Sequence, residues 1–352
     1  MKFISRFTNQ HKLKFTSMLK NRRPSNWSFI IILVFTGTSV LALLSLIYAI
    51  SNKELEENKF VVQNVELQKG LSALEINDMA EDYLYARNGK IQNKTKAAQL
   101  FLTAAKQNNI AAQNNIGFLY SKGYGVKKNL KKAFQWFHHS AKSGHPGGQS
   151  NLALAYTKGL GVKRDFKAGF FWSLKAAQQG EKEGQVIVGL LYYRGMGVKQ
   201  STNQANFWFQ KAANQGDPRG QYYLGQIFFT GSGDIPIDYS KAFNWFSKSA
   251  KQGYPKAQEK VGIMYNSGMG VRKSFDEAVF WLSKSSSQKR PTSAYNLACV
   301  YALEGEQDLA LIWLDTAIAY GYKNTEKILK DPDFDSIKHL PDFSKILEEI
   351  QK

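Results

Sequence analysis

A chain of 352 residues with 43% hydrophobic residues would ordinarily divide into two globular domains, but an internal period replaces that count with one extended solenoid. The single cysteine, Cys299, excludes an internal disulfide, and its place in the apolar helical run Ala298 to Ala302 reads as a small buried thiol instead of a reactive one. The formal charge of +19 is uneven, since Lys2, Arg6, Lys12, Lys14, Lys20, Arg22 and Arg23 all precede the first acidic residue, Glu54.

That basic tail, residues 1–26, leads into 24 uncharged residues, Trp27 to Ile50, rich in Ile, Leu, Val and Phe. As a helix they would measure about 36 Å, enough to cross a hydrocarbon core of about 30 Å. A signal peptide cleaved after Ile47-Tyr48-Ala49 is the competing reading, but the apolar run is longer than an h-region and the preceding tail is long. We therefore expect an uncleaved transmembrane anchor over 27–50, with residues 1–26 in the cytoplasm and everything after it outside, by the positive-inside bias. Trp27 and Tyr48 stand near its ends, where interfacial aromatics are expected. A polar linker or stalk, 51–72, follows, in which Leu55, Val62 and Val65 allow a short amphipathic helix.

From there the chain repeats itself. Gly-x-Gly-Val occurs at Gly123, Gly159, Gly195 and Gly268, with a degraded copy at Gly231, in steps of 36, 36, 36 and 37 residues. A period in this range means stacked units that bury their apolar faces against one another. Each unit reads as two helices. The first carries an apolar residue, a small one and, three places on, an aromatic: Ile116-Gly117 with Tyr120, Leu152-Ala153 with Tyr156, Val188-Gly189 with Tyr192, Leu224-Gly225 with Phe228, Val261-Gly262 with Tyr265. These share one helical face, and the small residue admits a neighbouring helix. The glycine loop ends that helix in a left-handed turn, and Val126, Val162, Val198 and Val271 return as apolar pegs.

In the second helix a small residue (Ala97, Ala133, Gly169, Ala205, Ala242, Ala278, Ala310) is followed after three by a large one (Leu100, Trp136, Trp172, Trp208, Trp245, Trp281, Trp313). Four further on comes another small one (Ala104, Ser140, Ala176, Ala212, Ser249, Ser285, Ala317). Six of the seven tryptophans thus fill one column, which we read as the core knob of each unit. Gly144, Gly180, Gly216, Gly253 and Gly321 close the second helices. Counting back one period places a worn first unit at about 73–108, and the solenoid runs over 73–323 as about seven helix pairs. The last step shrinks to 32 residues, Trp281 to Trp313, where Glu304-Gly305-Glu306 replaces the glycine loop. Residues 324–352 read as a cap on the exposed end.

The pattern AxxxLGxxYxxGxGV followed by KAxxWxxxAAxxG is similar to the Sel1-like repeat family, relatives of the tetratricopeptide repeat, which the last unit resembles. The resemblance implies an all-α fold: a right-handed superhelical solenoid of helix pairs whose concave face is lined by the first helices. It also implies adaptor or scaffold work in multiprotein assemblies, commonly in bacterial envelopes or the endoplasmic reticulum, and it implies no shared ligand.

Catalytic chemistry is not legible. There is no P-loop, nucleophile elbow or paired-carboxylate motif, and the glycine loops follow helices where a dinucleotide site would follow a strand. His138, His139 and His145 cluster in sequence but lack the i, i+4 spacing of helical zinc pairs and have no cysteine nearby. We expect no metal, no cofactor and no enzyme activity.

Two features remain for binding. Where the family tends toward an acidic residue after the valine, this chain has Lys127-Lys128, Lys163-Arg164, Lys199 and Arg272-Lys273, and Lys122, Lys158 and Arg194 form a second column in the last turns of first helices. Stacked, they would make a positive track for an anionic envelope polymer, an acidic protein or membrane headgroups. The plainer reading, favoured here, is cations that offset helix dipoles and solvated loop lysines. The concave face would use Asn114, Phe118, Ser150, Leu154, Leu190, Tyr222 and Gln226, with packing of the superhelix as the competing role for its aromatics.

The expectation is a non-enzymatic, single-pass scaffold on the outer side of a bacterial inner membrane that holds a protein partner in its groove and has no nucleic-acid role. The alternative is a module that binds an envelope glycan or anionic polymer through its basic loops. An endoplasmic-reticulum setting stays open, and there Asn93-Lys94-Thr95 would be a glycosylation acceptor whose modification in the native source would overturn the bacterial assignment.

Overall fold

The computed structural model describes residues 70–231 and 234–348. The tail, the expected anchor and the linker up to residue 69 lie outside the described residues. Ser72–Lys352 forms a compact unit distinct from Met1–Leu71. Among the described residues no helix is long and apolar enough to cross a membrane.

Every element of the described unit is helical. Seven pairs follow one another: α1 (Ala73–Tyr85) with α2 (Lys94–Lys106), α3 (Ile110–Lys122) with α4 (Leu130–Lys142), α5 (Pro146–Lys158) with α6 (Phe166–Gln178), and α7 (Lys182–Arg194) with α8 (Thr202–Asn214). Then come α9 (Pro218–Thr230) with α10 (Tyr239–Lys251), α11 (Pro255–Ser267) with α12 (Phe275–Ser286), and α13 (Pro291–Leu303) with α14 (Gln307–Ala319). Each helix packs on the next in sequence, and first helices of successive pairs also touch, as α3 does α5 and α5 does α7. The first helices are therefore the inner layer of the stack and the second helices the outer one.

Local chemistry sets these boundaries. The second helices begin at Asn93, Asn129, Asp165, Ser201, Asp238 and Ser274, whose side chains accept the backbone N–H three residues on. Such a cap is worth about 1 kcal/mol. Proline opens α5, α9, α11 and α13 at a position that needs no amide hydrogen. α1, α3, α5, α7 and α11 stop where the chain turns left-handed, as at Gly159, φ 70°.

Packing between the two helices of a pair corrects the assignment of the core knob. A side chain on Gly117, Gly189, Gly225 or Gly262 would have its Cβ at 2.8, 2.7, 2.7 or 2.6 Å from Phe137, Phe209, Phe246 or Leu282. The knob is thus the residue after the tryptophan, and Phe137, Phe209, Phe246 and Leu282 are buried. Trp208 is buried, but Trp136, Trp172, Trp245, Trp281 and Trp313 are only half-buried. Two large neighbours on one helix are turned about 100° apart, so only one of them can point at the glycine.

A polar rail runs through the stack beside this core. Buried Gln149, Gln185, Gln221 and Gln258 each donate to the carbonyl eight residues back, at the end of the preceding second helix. Each also accepts from a glutamine at the end of the following second helix: Gln179 to Gln149 at 2.8 Å, Gln215 to Gln185 at 2.9 Å, Gln252 to Gln221 at 2.8 Å and Gln288 to Gln258 at 3.0 Å. Gln113 occupies the same place, but one period before Gln179 stands Ser143, too short to reach, and Gln113 Oε1 is buried without a partner. Ser143→Gln should complete the rail and raise stability by about 1 kcal/mol, the worth of satisfying one buried acceptor. A thermal melt should rise by a few degrees, and an unchanged midpoint would show the orphan oxygen to be solvated.

Beyond α14, α15 (Thr325–Lys330), a short turn at Pro332–Phe334 and α16 (Pro341–Glu348) fold back on the last pair. Ile328, Phe334, Ile337, Phe343 and Leu347 are buried in one cluster with Tyr295, Ala298, Cys299 and Leu314. The buried Tyr295 hydroxyl donates to Asp331, and the Tyr295 ring stacks on Tyr322 with centroids 4.4 Å apart.

Candidate interaction surfaces

Inner-layer residues converge between the second and third pairs. Phe118, Ser121 and Lys122 on α3, Asn151 and Leu154 on α5, Phe134 on α4, Lys128 before α4 and Glu183 on α7 line a cleft of about 360 Å³. Phe118 is 37% exposed. Lys122 Nζ lies 5.7 Å from its ring centre. The cleft therefore offers an aliphatic and aromatic floor with cations at its rim and one carboxylate opposite.

The structure brings Phe118, Leu154, Lys122 and Lys128 together at this cleft. Asn114 joins it indirectly, because its Oδ1 accepts from Asn151 Nδ2 at 2.9 Å. Ser150 is buried and its hydroxyl has no partner. Leu190 is half-buried against the cluster built on Phe209 and Leu224. Tyr222 packs between Phe246, Tyr223 and Tyr254 at 5.2 to 5.5 Å, and burial pushes its phenol up to about 12. Gln226 is half-buried on the same helix as Tyr222.

The sequence offered no signal for Phe134 or Glu183, whereas Asn151 stands one period after Asn115. Glu183 also forms an inter-unit bridge, taking Arg219 at 2.6 Å while Arg219 holds Asp217 at 2.8 Å. Burial acts to lower the Arg219 pKa, but hydrogen bonds to Glu183 and Asp217 outweigh it and raise the value. A second bridge of this kind joins Arg290 to Glu259 at 2.9 Å.

All ten basic-track residues are exposed: Lys122, Lys127, Lys128, Lys158, Lys163, Arg164, Arg194, Lys199, Arg272 and Lys273. None takes part in an ion pair among the described residues. Lys163, Arg164 and Lys167 converge with Tyr156, Phe166 and Gly197 on a second, more open cleft of about 640 Å³.

The three histidines do not act together. His138 and His139 lie on α4 with ring centres 6.4 Å apart, whereas His145 is the N-cap of α5, its Nδ1 accepting Gly148 N–H at 3.1 Å. Burial lowers the His145 pKa, and burial with the nearby Lys142 and His139 lowers that of His138. A proton on His145 would remove the acceptor and set a cation against the positive helix end. Its stabilising contribution should be complete above the unfolded value of about 6.5 and be lost as pH falls through the lower native value. His145→Asn, a cap that does not titrate here, should flatten a melting-midpoint profile just below about pH 6.5, leaving there the part due to His138, while the lowered Glu75 and Asp238 act only further into acid. An unchanged acid slope would assign the dependence elsewhere.

Cys299 is buried, and its thiol is pushed well up by burial and by Asp331 and Asp333, so it stays protonated at neutral pH.

Comparison with known proteins gives a consistent result. The Sel1 repeat matches residues 77–109, 110–145, 146–181, 182–217, 218–254 and 255–289, which together exceed half the chain. A Sel1 repeat protein from Oxalobacter formigenes is 29% identical, with a TM-score of 0.61 over 69% of this chain and 99% of that one. A protective antigen present in uropathogenic Escherichia coli strains, displaying an SLR fold, is also 29% identical, with a TM-score of 0.59 over 73% of this chain and 56% of that one. A chloroplastic protein of Arabidopsis thaliana is 27% identical over 70 residues. The chain spans about a fifth of that plant protein (21%) and a little over half of the antigen (56%).

Proposed function

This chain belongs to the Sel1 repeat family, and on that premise we propose that it is a non-enzymatic scaffold that holds a protein partner in the cleft built on Phe118 and Leu154. Repeats of this kind typically mediate contacts between proteins and are typically non-catalytic. The observation that carries the reading for this chain is the cleft itself, where a half-exposed phenylalanine and Leu154 sit among Lys122, Lys128 and Glu183. An aromatic anchor inside a polar rim is the usual composition of an energetic centre for protein binding.

The tether is part of the proposal. The uncharged run Trp27–Ile50 is long enough to span a bilayer, and the basic residues before it favour a cytoplasmic amino terminus with the repeats outside. That the Escherichia coli neighbour is a protective antigen supports exposure beyond the cytoplasm for a repeat array of this build. Protease protection of the full chain in spheroplasts tests the topology, and a protected repeat region would reverse it.

A photocrosslinker at position 118, with a control at exposed Ile91, tests the groove. Position 118 should give a discrete adduct in native membranes that position 91 does not. Phe118→Ala with Lys122→Glu should weaken capture of that adduct's protein about tenfold or more, with the melting midpoint nearly unchanged.

The second reading, an anionic envelope polymer on the basic loops, is favoured by the convergence of Lys163, Arg164 and Lys167 on one cleft. Charge reversal at Lys163, Arg164 and Lys199 separates the two. Loss of salt-dependent sedimentation with cell-wall polymer would support the loops, and unchanged sedimentation would leave the groove alone.

A further inference from the structure

We propose that the outer, second-helix face of the solenoid is a bilayer-contact surface that lies against anionic lipid headgroups. These residues are distinct from both the loop track and the inner cleft, and the inference stands whether or not a protein occupies that cleft.

Charge is the first observation. The second helices of five consecutive pairs, α2, α4, α6, α8 and α10, contain no aspartate or glutamate within their bounds, and each carries lysine. Acidic residues of the same region lie at the helix ends and loops: at the N-caps Asp165 and Asp238, where they accept backbone N–H, around the starts of inner helices at Glu181, Glu183 and Asp217, and at Asp234, which accepts from Asn203 in the first turn of α8. Five outer helices free of negative charge along their length, in a chain with 28 acidic residues, make lysine the prevailing charge of this part of the face.

The second observation is apolar. One position before the tryptophan, Phe171, Phe207 and Phe280 are 50%, 47% and 47% exposed. Each stands edge-on to its tryptophan at 5.0 to 5.2 Å. Four residues on, Lys175, Lys211 and Lys284 place Nζ 4.8, 4.7 and 4.4 Å from the phenylalanine ring centres, and Lys248 stands 4.3 Å over Trp245. None of these four lysines is in an ion pair among the described residues.

The same pair, exposed ring and unneutralised ammonium, recurs at the repeat period. A folded partner with one acidic patch would match one or two rungs. A headgroup layer matches all of them without register, since phosphates meet the lysines while phenylalanine and tryptophan enter the interfacial zone. Each lysine near an anionic leaflet adds modestly, so the effect accumulates along the ladder. Toward the carboxy end, α12 carries Asp276 and Glu277 and α14 carries Asp308 and Asp315. The exposed rings and the acid-free helices coincide on α6 and α8, so the solenoid should lie closest to the lipid there.

The test uses the full chain, with Cys299→Ser, in vesicles of phosphatidylcholine alone or with about 30% phosphatidylglycerol, enough to set up a negative surface. Single spin labels replace Phe207, Ile312 or Phe118, after melting confirms each fold. In anionic vesicles the ratio of oxygen to nickel-chelate accessibility should rise about threefold at 207, less at 312 and not at 118, and in neutral vesicles it should stay near its aqueous value. Lys175→Glu, Lys211→Glu and Lys248→Glu together should restore the aqueous value at 207 with the melting midpoint retained. A water-like label at 207 in anionic vesicles would overturn the proposal, as would equal burial at 118. A label that ignores lipid but is immobilised by polyglutamate would transfer the face to an acidic protein and equally overturn it.

Discussion

Replacing Gly161 with alanine should destabilise the solenoid by about 3 kcal/mol or more, whereas the same change at Gly159, two residues earlier in the same loop, should cost about 1 kcal/mol. Both glycines have positive φ, 70° and 75°, so both changes carry the ordinary penalty of a side chain in a left-handed turn. Their surroundings differ. At Gly159 a Cβ would find its nearest neighbour at 3.5 Å, but at Gly161 it would lie 2.1 Å from the backbone carbonyl oxygen of Leu130. Leu130 is the first residue of α4, in the preceding unit. The second glycine of each loop is thus the seat of one unit on the one before, as Gly125, Gly197 and Gly270 repeat on Lys94, Phe166 and Tyr239 at 2.0 to 2.3 Å. Backbone cannot yield as a side-chain tip can, so the loop must lift away. Hydrogen exchange should show residues 73–142 and the later units opening separately in Gly161→Ala, as expected for a chain whose stability is a sum over neighbour contacts. Equal losses at the two glycines would refute this division of roles.

The second large effect is expected inside a unit. Phe246→Ala should cost about 3–5 kcal/mol, the range for a fully buried aromatic, while Trp245→Ala should cost less than half as much. Phe246 has no exposure, and its ring lies 2.7 Å from where Gly225 would carry a Cβ. It also meets Tyr222 and Phe229 at 5.5 and 6.1 Å, so truncation leaves a cavity that these two rings would have to close. Trp245 is half-buried, with Lys248 over its face. Urea melts of the two variants decide the matter. A larger loss at Trp245 would return the knob to the tryptophan column.

The repeat, the glycine turns and the helix bounds were legible because they depend on local chemistry repeated at fixed distance. The worn first unit expected at 73–108 coincides with α1 and α2. What was not legible depends on direction. Trp245 and Phe246 are adjacent, large and apolar, and spacing alone cannot say which one faces the glycine. The glutamine rail escaped because Gln149 and Gln179 are 30 residues apart and each by itself looks like a surface residue. Of the inner-face residues, Phe118 and Leu154 do meet at a cleft, whereas Ser150 and Tyr222 turn toward packing, since one inner helix must serve both its partner and the next unit.

The seating of each loop on the preceding outer helix also bears on how such a molecule changes length. Whole modules cut at equivalent loops could be added or removed in the middle, because the junctions at Gly125, Gly161, Gly197 and Gly270 present the same socket to the same plug. The far end is different: the 32-residue step lacks a glycine loop, and Phe334 and Phe343 already fill the space a further module would need. Growth by duplication is therefore open within the array and closed at its terminus.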